Sequence, residues 1–196
     1  MSMKLRTPGE SQLRTGARAT YADLLAIPDH KVVELIDGEL FVNPRPASPH
    51  ARASSRLGGE LYGPFDRGRG GPGGWIILDE PELHFGDDVL VPDLAGWRTE
   101  RFPPDGPSAL YFTVAPDWVC EVVSPSTGRL DRVRKSAVYA HVSVTYFWLI
   151  DPLERTLEVS RLTDSRWLQL AVHSNDDRVH AEPFQEFELE LAALWW

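Results

Sequence analysis

Apolar and polar positions in the first third of the chain follow two different spacings. The stretch YADLLAIPD follows Thr20, a suitable cap, and predicts a short helix. Apolar and β-branched residues flank Asp37 and Gly38 in KVVELIDGELFVNP, which predicts two strands joined by a hairpin turn. Ser48 can cap a second helix over SPHARASSRLGGELYGPF. We expect the buried face of this helix to consist of Ala51, Ser55, Leu57, Leu61 and Tyr62.

Strand-like apolar runs dominate the rest of the chain. WIILDEPELHFG, VPDLAGW, DWVCEVVS and TYFWLIDP each predict a strand, and ERTLEVSRLT, RWLQLAVH and FELELAAL alternate as a C-terminal strand meander. Between the third and fourth runs, TGRLDRVRKSAVYAHV predicts a helix of about four turns. Its apolar face is predicted to consist of Leu130, Val133, Ala137, Ala140 and His141.

The order of these elements predicts the fold class and the domain organisation. Helix, hairpin, helix, strands, helix and further strands favour an α/β or α+β fold, in which helices flank a central mixed sheet. A chain of 196 residues with 42% hydrophobic composition is long enough for one core. We therefore expect a single domain at residues 19–196, preceded by a flexible tail at residues 1–18, where no hydrophobic period is found.

Composition also bears on location and partners. No stretch approaches the ~20 consecutive apolar residues of a membrane span, and no apolar signal core follows the N terminus. The single cysteine, Cys120, lies in an apolar run, as is typical of a reducing compartment. We therefore expect a cytoplasmic protein without membrane contact. The net charge of -9 disfavours tight, metal-free binding of nucleic acid and favours a specific site over a generic coat. A nuclease is compatible with this charge if carboxylates cluster around metal ions and local basic patches meet the strand.

Two carboxylates stand in strand-like apolar surroundings: Asp93 in VLVPDLAGW and Glu121 in DWVCEVVSP. A buried carboxylate is costly unless it is paired or bound to a cation. If the two strands are neighbours, both side chains can share one hard cation, to which Mg²⁺ or Mn²⁺ is suited. The alternative is that both lie on the solvent face of alternating strands. Glu121 favours the site, because it has apolar neighbours on whichever face is buried.

Further polar residues can complete such a site. Arg132, Lys135 and Tyr139 stand at helical spacing and can form one stripe over the carboxylates, with Lys135 orienting the attacking water. The alternative for Lys135 is a solvated ion pair with Asp131 at i, i+4. Glu34 is either a third acidic site residue or an exposed hairpin residue.

Other site chemistries find little support in the sequence. His50 begins the second helix and is a candidate contact to a phosphate or around a metal. The remaining histidines form no zinc-binding pattern. We find no nucleophile elbow, no Walker loop and no dinucleotide-binding fingerprint.

Taken in order, these segments resemble the Uma2 family of restriction endonucleases, a branch of the PD-(D/E)XK nuclease superfamily. The resemblance extends over roughly residues 20 to 172 and rests on five segments: YADLLAI, VVELIDGELFVNPRPASPHAR, VPDLAGW, DWVCEVVSPST and DRVRKSAVYAHVSVTYFWLIDP. It implies a restriction-endonuclease-like core with extra C-terminal strands, and a Mg- or Mn-dependent enzyme that hydrolyses DNA.

The resemblance also implies roles for individual residues. Asp93 and Glu121, with the backbone carbonyl of Val122, are implied to bind the metal. Lys135 replaces the lysine that a strict D/E-x-K motif would place at position 123, where this chain has Val123. Glu34 is implied to belong to the site. Supporting roles are implied for His50 and Tyr139. Arg132 joins these supporting residues because it stands at helical spacing from Lys135 and Tyr139.

Two other functions are compatible with the same residues. The chain can be a catalytically inactive nuclease fold that acts as a binding or assembly module, as its acidic charge and two exposed-looking terminal residues, Trp195 and Trp196, suggest. It can also be a hydrolase that uses its carboxylates for acid–base chemistry without a metal. The C-terminal strands, through their edges or an apolar patch, favour a symmetric homodimer.

Overall fold

A computed structural model describes residues 18–28, 31–43, 46–125 and 127–196 of the protein. Apart from Arg18, the tail expected at residues 1–18 lies outside the described residues. None of the helices in the described ranges is long and apolar enough to cross a lipid bilayer.

The described chain contains three α-helices and twelve strands, with shorter helical turns between them. In chain order they are α1 Tyr21–Leu25, β1 Val32–Ile36, β2 Glu39–Asn43, α2 Ser48–Leu61, a π-helical turn Tyr62–Asp66, β3 Trp75–Asp79, β4 Leu83–Phe85, β5 Asp88–Leu90, β6 Leu94–Arg98, a 3-10 turn Gly106–Ser108, β7 Trp118–Val122, a π-helical segment Leu130–Lys135 that continues into α3 Ser136–His141, β8 Tyr146–Asp151, β9 Thr156–Thr163, β10 Arg166–Ser174, β11 Arg178–Val179, β12 Leu189–Glu190 and a 3-10 turn Leu191–Leu194.

The central sheet has six strands in the order β10-β9-β8-β7-β6-β3. Within it, β7 and β8 run parallel and the other neighbours are antiparallel, so the sheet is mixed as the sequence predicted. All five residues of β7 are buried, because helices cover both faces of this strand. The α/β fold with a mixed central sheet between helices is therefore confirmed.

A smaller sheet stands beside the central one, in the order β2-β1-β5-β4. Its first hairpin is the one that the sequence predicted, with Val33 opposite Val42 and Ile36 opposite Glu39. The turn residues Asp37 and Gly38 have φ of 55° and 72°, the left-handed backbone that Asp and Gly tolerate best. This sheet carries Glu34 into the interior, where its exposed fraction is 0%.

The two long helices bury different faces from those that apolar spacing predicted. Along α2 the core-facing residues are Ala53, Ser54, Leu57 and Leu61, so only Leu57 and Leu61 of the expected set are buried. In the helix formed by Leu130–Lys135 and α3, the buried residues are Leu130, Asp131, Lys135, Ser136 and Tyr139. Asp131, Lys135 and Tyr139 face inward, where Lys135 meets acidic side chains of both sheets, and Val133 is consequently 58% exposed.

The C terminus also differs from the expectation. FELELAAL forms only the two-residue strand β12 before it enters a 3-10 turn. Trp195 is 4% exposed and donates from Nε1 to the carbonyl of Asn175 at 2.7 Å, whereas Trp196 is 75% exposed. Of the two terminal tryptophans that were expected to be exposed, one is therefore part of the core.

Candidate functional site

Asp93 and Glu121 lie close together at one end of two neighbouring strands. Glu121 is inside β7, while Asp93 lies in the bend just before β6 and not in the strand itself as expected. Because Leu94 is paired with Cys120, the bend lies beside the end of β7, and Asp93 Oδ2 accepts a hydrogen bond from the Val122 amide at 2.7 Å. The two carboxylates therefore share one edge of the central sheet.

His50 contacts the other oxygen of Asp93. It lies in the first turn of α2, and its Nε2 is 3.2 Å from Asp93 Oδ1. Burial lowers the pKa of His50, but the hydrogen bond to Asp93 and the charge of that carboxylate outweigh it, so the pKa is raised overall. His50 therefore lies beside Asp93, and its contact to a phosphate or around a metal stays a prediction.

Lys135 is the centre of the cluster. Its Nζ lies 2.7 Å from Glu121 Oε1, 2.9 Å from Glu34 Oε1 and 3.8 Å from Asp131 Oδ1, and it donates to the carbonyl of Val91 at 3.3 Å. The side chain is 3% exposed. A solvated Asp131–Lys135 pair on the helix surface, the alternative for this lysine, is therefore wrong.

Glu34 reaches Lys135 from the small sheet. Its Oε1 also accepts a hydrogen bond from the Val91 amide at 2.9 Å, and its Oε2 accepts one from Asn43 Nδ2 at 2.9 Å. These contacts fix the carboxylate of a residue that is fully buried. The exposed-hairpin alternative for Glu34 is wrong, and the site lies where the two sheets meet.

The rest of the predicted helical stripe is divided. Tyr139 is fully buried and donates from its hydroxyl to Glu121 Oε1 at 2.6 Å. Arg132 is on the outer side of the helix, where its guanidinium pairs with Glu158 on β9. The structure thus brings Tyr139 into the cluster and leaves Arg132 outside it.

Asp131 is the site residue that the sequence reading missed. Its carboxylate is buried, and Lys135 and Tyr139 follow it on the same side of the helix. The signal was present as a series of polar residues at positions 131, 135 and 139, each four apart. A charged pair at i, i+4 usually lies on a helix surface, so the spacing of Asp131 and Lys135 alone does not indicate a buried carboxylate.

The cluster holds more negative than positive charge. Burial, partly offset by the charge of Lys135, raises the pKa of Glu121 well above its ordinary value. Burial likewise raises the pKa of Asp131 to about 6. Burial opposes the charge on Lys135, but Glu121, Glu34 and Asp131 outweigh it and raise the pKa of the ammonium well above its ordinary value. One lysine therefore stays charged among carboxylates that repel one another.

An open cleft leads from solvent to these residues. One part has a volume of about 270 Å³ and is lined by Asp93, Glu121, Asp131 and Lys135, among others. A second part of about 380 Å³ runs along α2. The two share His50, Glu80, Asp93 and Pro46 in their walls, so the groove passes directly over Asp93.

The donor set suits a hard divalent cation. Asp93 and Glu121 offer carboxylate oxygens, and the contacts of Lys135 and Tyr139 both fall on Oε1 of Glu121. Asn43 and His50 line the same cleft. Each has a buried atom, Asn43 Oδ1 and His50 Nδ1, that has no hydrogen-bond partner among the described residues. In the described ranges no group of three or more His, Cys, Asp or Glu forms a ready-made metal site. Two carboxylates would leave most coordination positions of a hard cation to water.

The raised pKa of Asp131 predicts a pH-dependent cost to stability. Because the folded state holds the proton up to about pH 6 and the ordinary pKa is 3.8, ionisation of Asp131 removes stability as the pH rises through this window. Asp131→Asn should therefore raise the free energy of unfolding at pH 8 by about 1–3 kcal/mol and change it little at pH 4. Urea denaturation at both pH values, in EDTA, measures this.

The matched control is Asp87→Asn, which alters an exposed carboxylate on the turn between β4 and β5. Its effect on the free energy of unfolding should be small and similar at both pH values. If Asp131→Asn instead destabilised the protein more at pH 8 than at pH 4, the electrostatic account of this residue would be wrong.

Comparisons with known proteins agree with this fold. A crystal structure of a protein from Anabaena variabilis ATCC 29413, described as a "putative nuclease belonging to DUF820", superposes with a TM-score of 0.73. It is 26% identical in sequence, and the match covers 89% of this chain and 96% of the other. No curated protein matches the chain significantly. The family model Uma2, described as "Putative restriction endonuclease", matches residues 19–193, and the chain therefore belongs to the Uma2 family.

Proposed function

We propose that this protein is a metal-dependent endonuclease of the PD-(D/E)XK type that hydrolyses phosphodiester bonds in DNA. The observation that carries the proposal is the distance of 2.7 Å between Lys135 Nζ and Glu121 Oε1, at the base of a cleft that Asp93 also lines. Carboxylates that hold a metal ion can supply an activated water for phosphodiester hydrolysis, and a lysine beside them can stabilise the developing charge. Membership of a family described as restriction endonucleases and similarity to a nuclease structure support it.

Asp93, Glu121 and the backbone carbonyl of Val122 would hold the ion, for which we propose Mg²⁺ or Mn²⁺. When bound, such an ion lowers the pKa of a coordinated water and neutralises charge on the phosphate. Glu121 and Val122 both line the cleft, and the Val122 amide already fixes Asp93 in place. This arrangement keeps both carboxylates directed at the same volume.

The remaining residues orient the reacting groups. Lys135, held between Glu121 and Glu34, would position the attacking water and steady the negative charge that develops on the phosphate. Tyr139 restrains Glu121, and His50 restrains Asp93. Arg132 lies outside the cluster, where its pair with Glu158 attaches the helix to β9, so its supporting role would be indirect.

DNA cleavage is the first test. The purified protein should cut supercoiled and linear DNA with Mg²⁺ or Mn²⁺ and not with EDTA. Asp93→Asn, Glu121→Gln and Lys135→Met should each lower the rate by about 100-fold or more, since each removes a charge that the transition state needs.

Matched controls remove a carboxylate of the same type elsewhere. Glu154→Gln on the turn between β8 and β9 and Asp87→Asn on the turn before β5 should leave the cleavage rate within a few-fold of the wild type. Cleavage that survives Glu121→Gln would indicate a contaminating nuclease. Absence of cleavage with every metal and DNA form would favour the inactive binding module.

Metal binding gives a second test that does not depend on activity. Added Mg²⁺ or Mn²⁺ should raise the free energy of unfolding of the wild type, by about 2.7 kcal/mol at a hundredfold excess over Kd. Asp93→Asn should abolish this gain and Asp87→Asn should retain it, as measured by thermal unfolding with increasing metal. A metal effect equal in both variants would place the ion elsewhere.

A homodimer is proposed on the free edge of the central sheet. Strand β10 is terminal in that sheet and has nine residues, of which Leu168 and Val172 are 49% and 55% exposed. An edge of this length is a template for pairing with a second copy. Sedimentation velocity over a wide concentration range should show a dimer, which Val172→Lys should weaken; a monomer at every concentration would contradict it.

We further propose action in the cytoplasm, since Cys120, the single cysteine, is a buried free thiol.

A further inference from the structure

One buried carboxylate in the cleft has no part in the chemistry proposed above. Asp131 is 3% exposed and lines the same part of the cleft as Glu121 and Lys135. Its Oδ1 lies 3.8 Å from Lys135 Nζ, which is beyond hydrogen-bonding distance. Burying a carboxylate without a hydrogen bond to the nearest cation is energetically unfavourable, so the position of Asp131 calls for an explanation.

The ammonium of Lys135 has more acceptors around it than hydrogens to donate. A lysine offers three N–H donors. Its Nζ is paired with the carboxylates of Glu121 at 2.7 Å and Glu34 at 2.9 Å and donates a hydrogen bond to the Val91 carbonyl at 3.3 Å, so three acceptors already surround it. Asp131 is therefore a fourth acceptor, which the ammonium can reach if one of the other three is lost.

Glu121 is the acceptor that a bound cation would compete for. Lys135 and Tyr139 both contact its Oε1. A divalent cation on this carboxylate would neutralise its charge and repel the ammonium. Lys135 would then keep Glu34 and Val91, and its third N–H would lack a partner in a buried place, which is unfavourable.

Asp131 is held in a position to accept that third N–H. Its amide donates to the carbonyl of Thr127 at 3.0 Å, which holds its backbone at the start of the helical segment. The π-helical segment Leu130–Lys135 brings both side chains to the buried side of the helix, with the Ser136 amide bonded to the Asp131 carbonyl. A movement of Nζ by about 1 Å would close the gap to a normal hydrogen bond.

We propose that Asp131 is a positioning residue that receives the ammonium of Lys135 when a cation occupies Glu121. The lysine thereby stays charged and inside the cleft in both the metal-free and the metal-bound site. Its catalytic meaning rests on the proposed nuclease function, but the exchange of acceptors is a property of the chain that can be tested without metal or DNA.

The test uses the small number of lysines. The chain has three, at positions 4, 31 and 135, so lysine labelled with ¹⁵N at Nζ gives at most three ammonium signals, and Lys135→Met identifies that of Lys135. Slow exchange of its protons with water reports that the ammonium is buried and hydrogen-bonded. Glu121→Gln imitates the neutralisation of this carboxylate by a cation, and Asp131→Asn removes the second charged acceptor.

The expected result is a strong coupling between the two substitutions. Glu121→Gln and Asp131→Asn should each alter the exchange rate of the Lys135 ammonium by a few-fold at most, because one charged acceptor replaces the other. The double variant should exchange about tenfold faster than the product of the single effects predicts. Asp87→Asn combined with Glu121→Gln is the matched control and should show no coupling. Independent effects of Glu121→Gln and Asp131→Asn would overturn the proposal.

A crystal structure of the Glu121→Gln protein gives a second test, which needs only one substitution. The distance from Lys135 Nζ to Asp131 Oδ1 should fall from 3.8 Å to roughly 3 Å. A distance that stays at or above 3.8 Å would overturn the proposal. If the wild type cleaves no DNA while the coupling is found, the nuclease function fails and the exchange of acceptors stands.

Discussion

The structure around the cleft depends on one buried ammonium group. Lys135 is in contact with Glu34 from the small sheet and Glu121 from the central sheet, and it belongs to the helix that packs between them. Burying any of these charges alone would be strongly unfavourable, and together they are tolerated because each has a partner. The inward orientation of the helix, the burial of Glu34 on β1 and the depth of Glu121 all follow from that requirement.

Much of the fold could be predicted from spacing, because the strands are apolar runs with clear ends. The hairpin at Asp37 and Gly38 and the buried strand β7 are examples in which local sequence and final structure agree. The buried faces of α2 and of the Leu130–His141 helix could not be predicted in this way. Their orientation is decided by contacts with residues far away in the chain, which apolar periodicity does not record.

The candidate site was predictable to the extent that acidic residues interrupt apolar strands. Glu34, Asp93 and Glu121 stood out for that reason. Helical spacing indicated Lys135, which the family resemblance also implied. Asp131 was missed because its spacing to Lys135 is the one that surface ion pairs use. Arg132 was included because three residues at helical spacing suggested one stripe, yet it pairs with Glu158 on the other side of the helix.

The position of the cluster between two sheets has a consequence for folding. Glu34 and Lys135 are far apart in sequence, and contacts of this kind form late because a long loop must close first. A chain in which only one sheet has formed has a charged lysine without its full set of acceptors. The candidate site is therefore complete only once both sheets are in place, so whatever chemistry it performs is confined to the fully folded molecule.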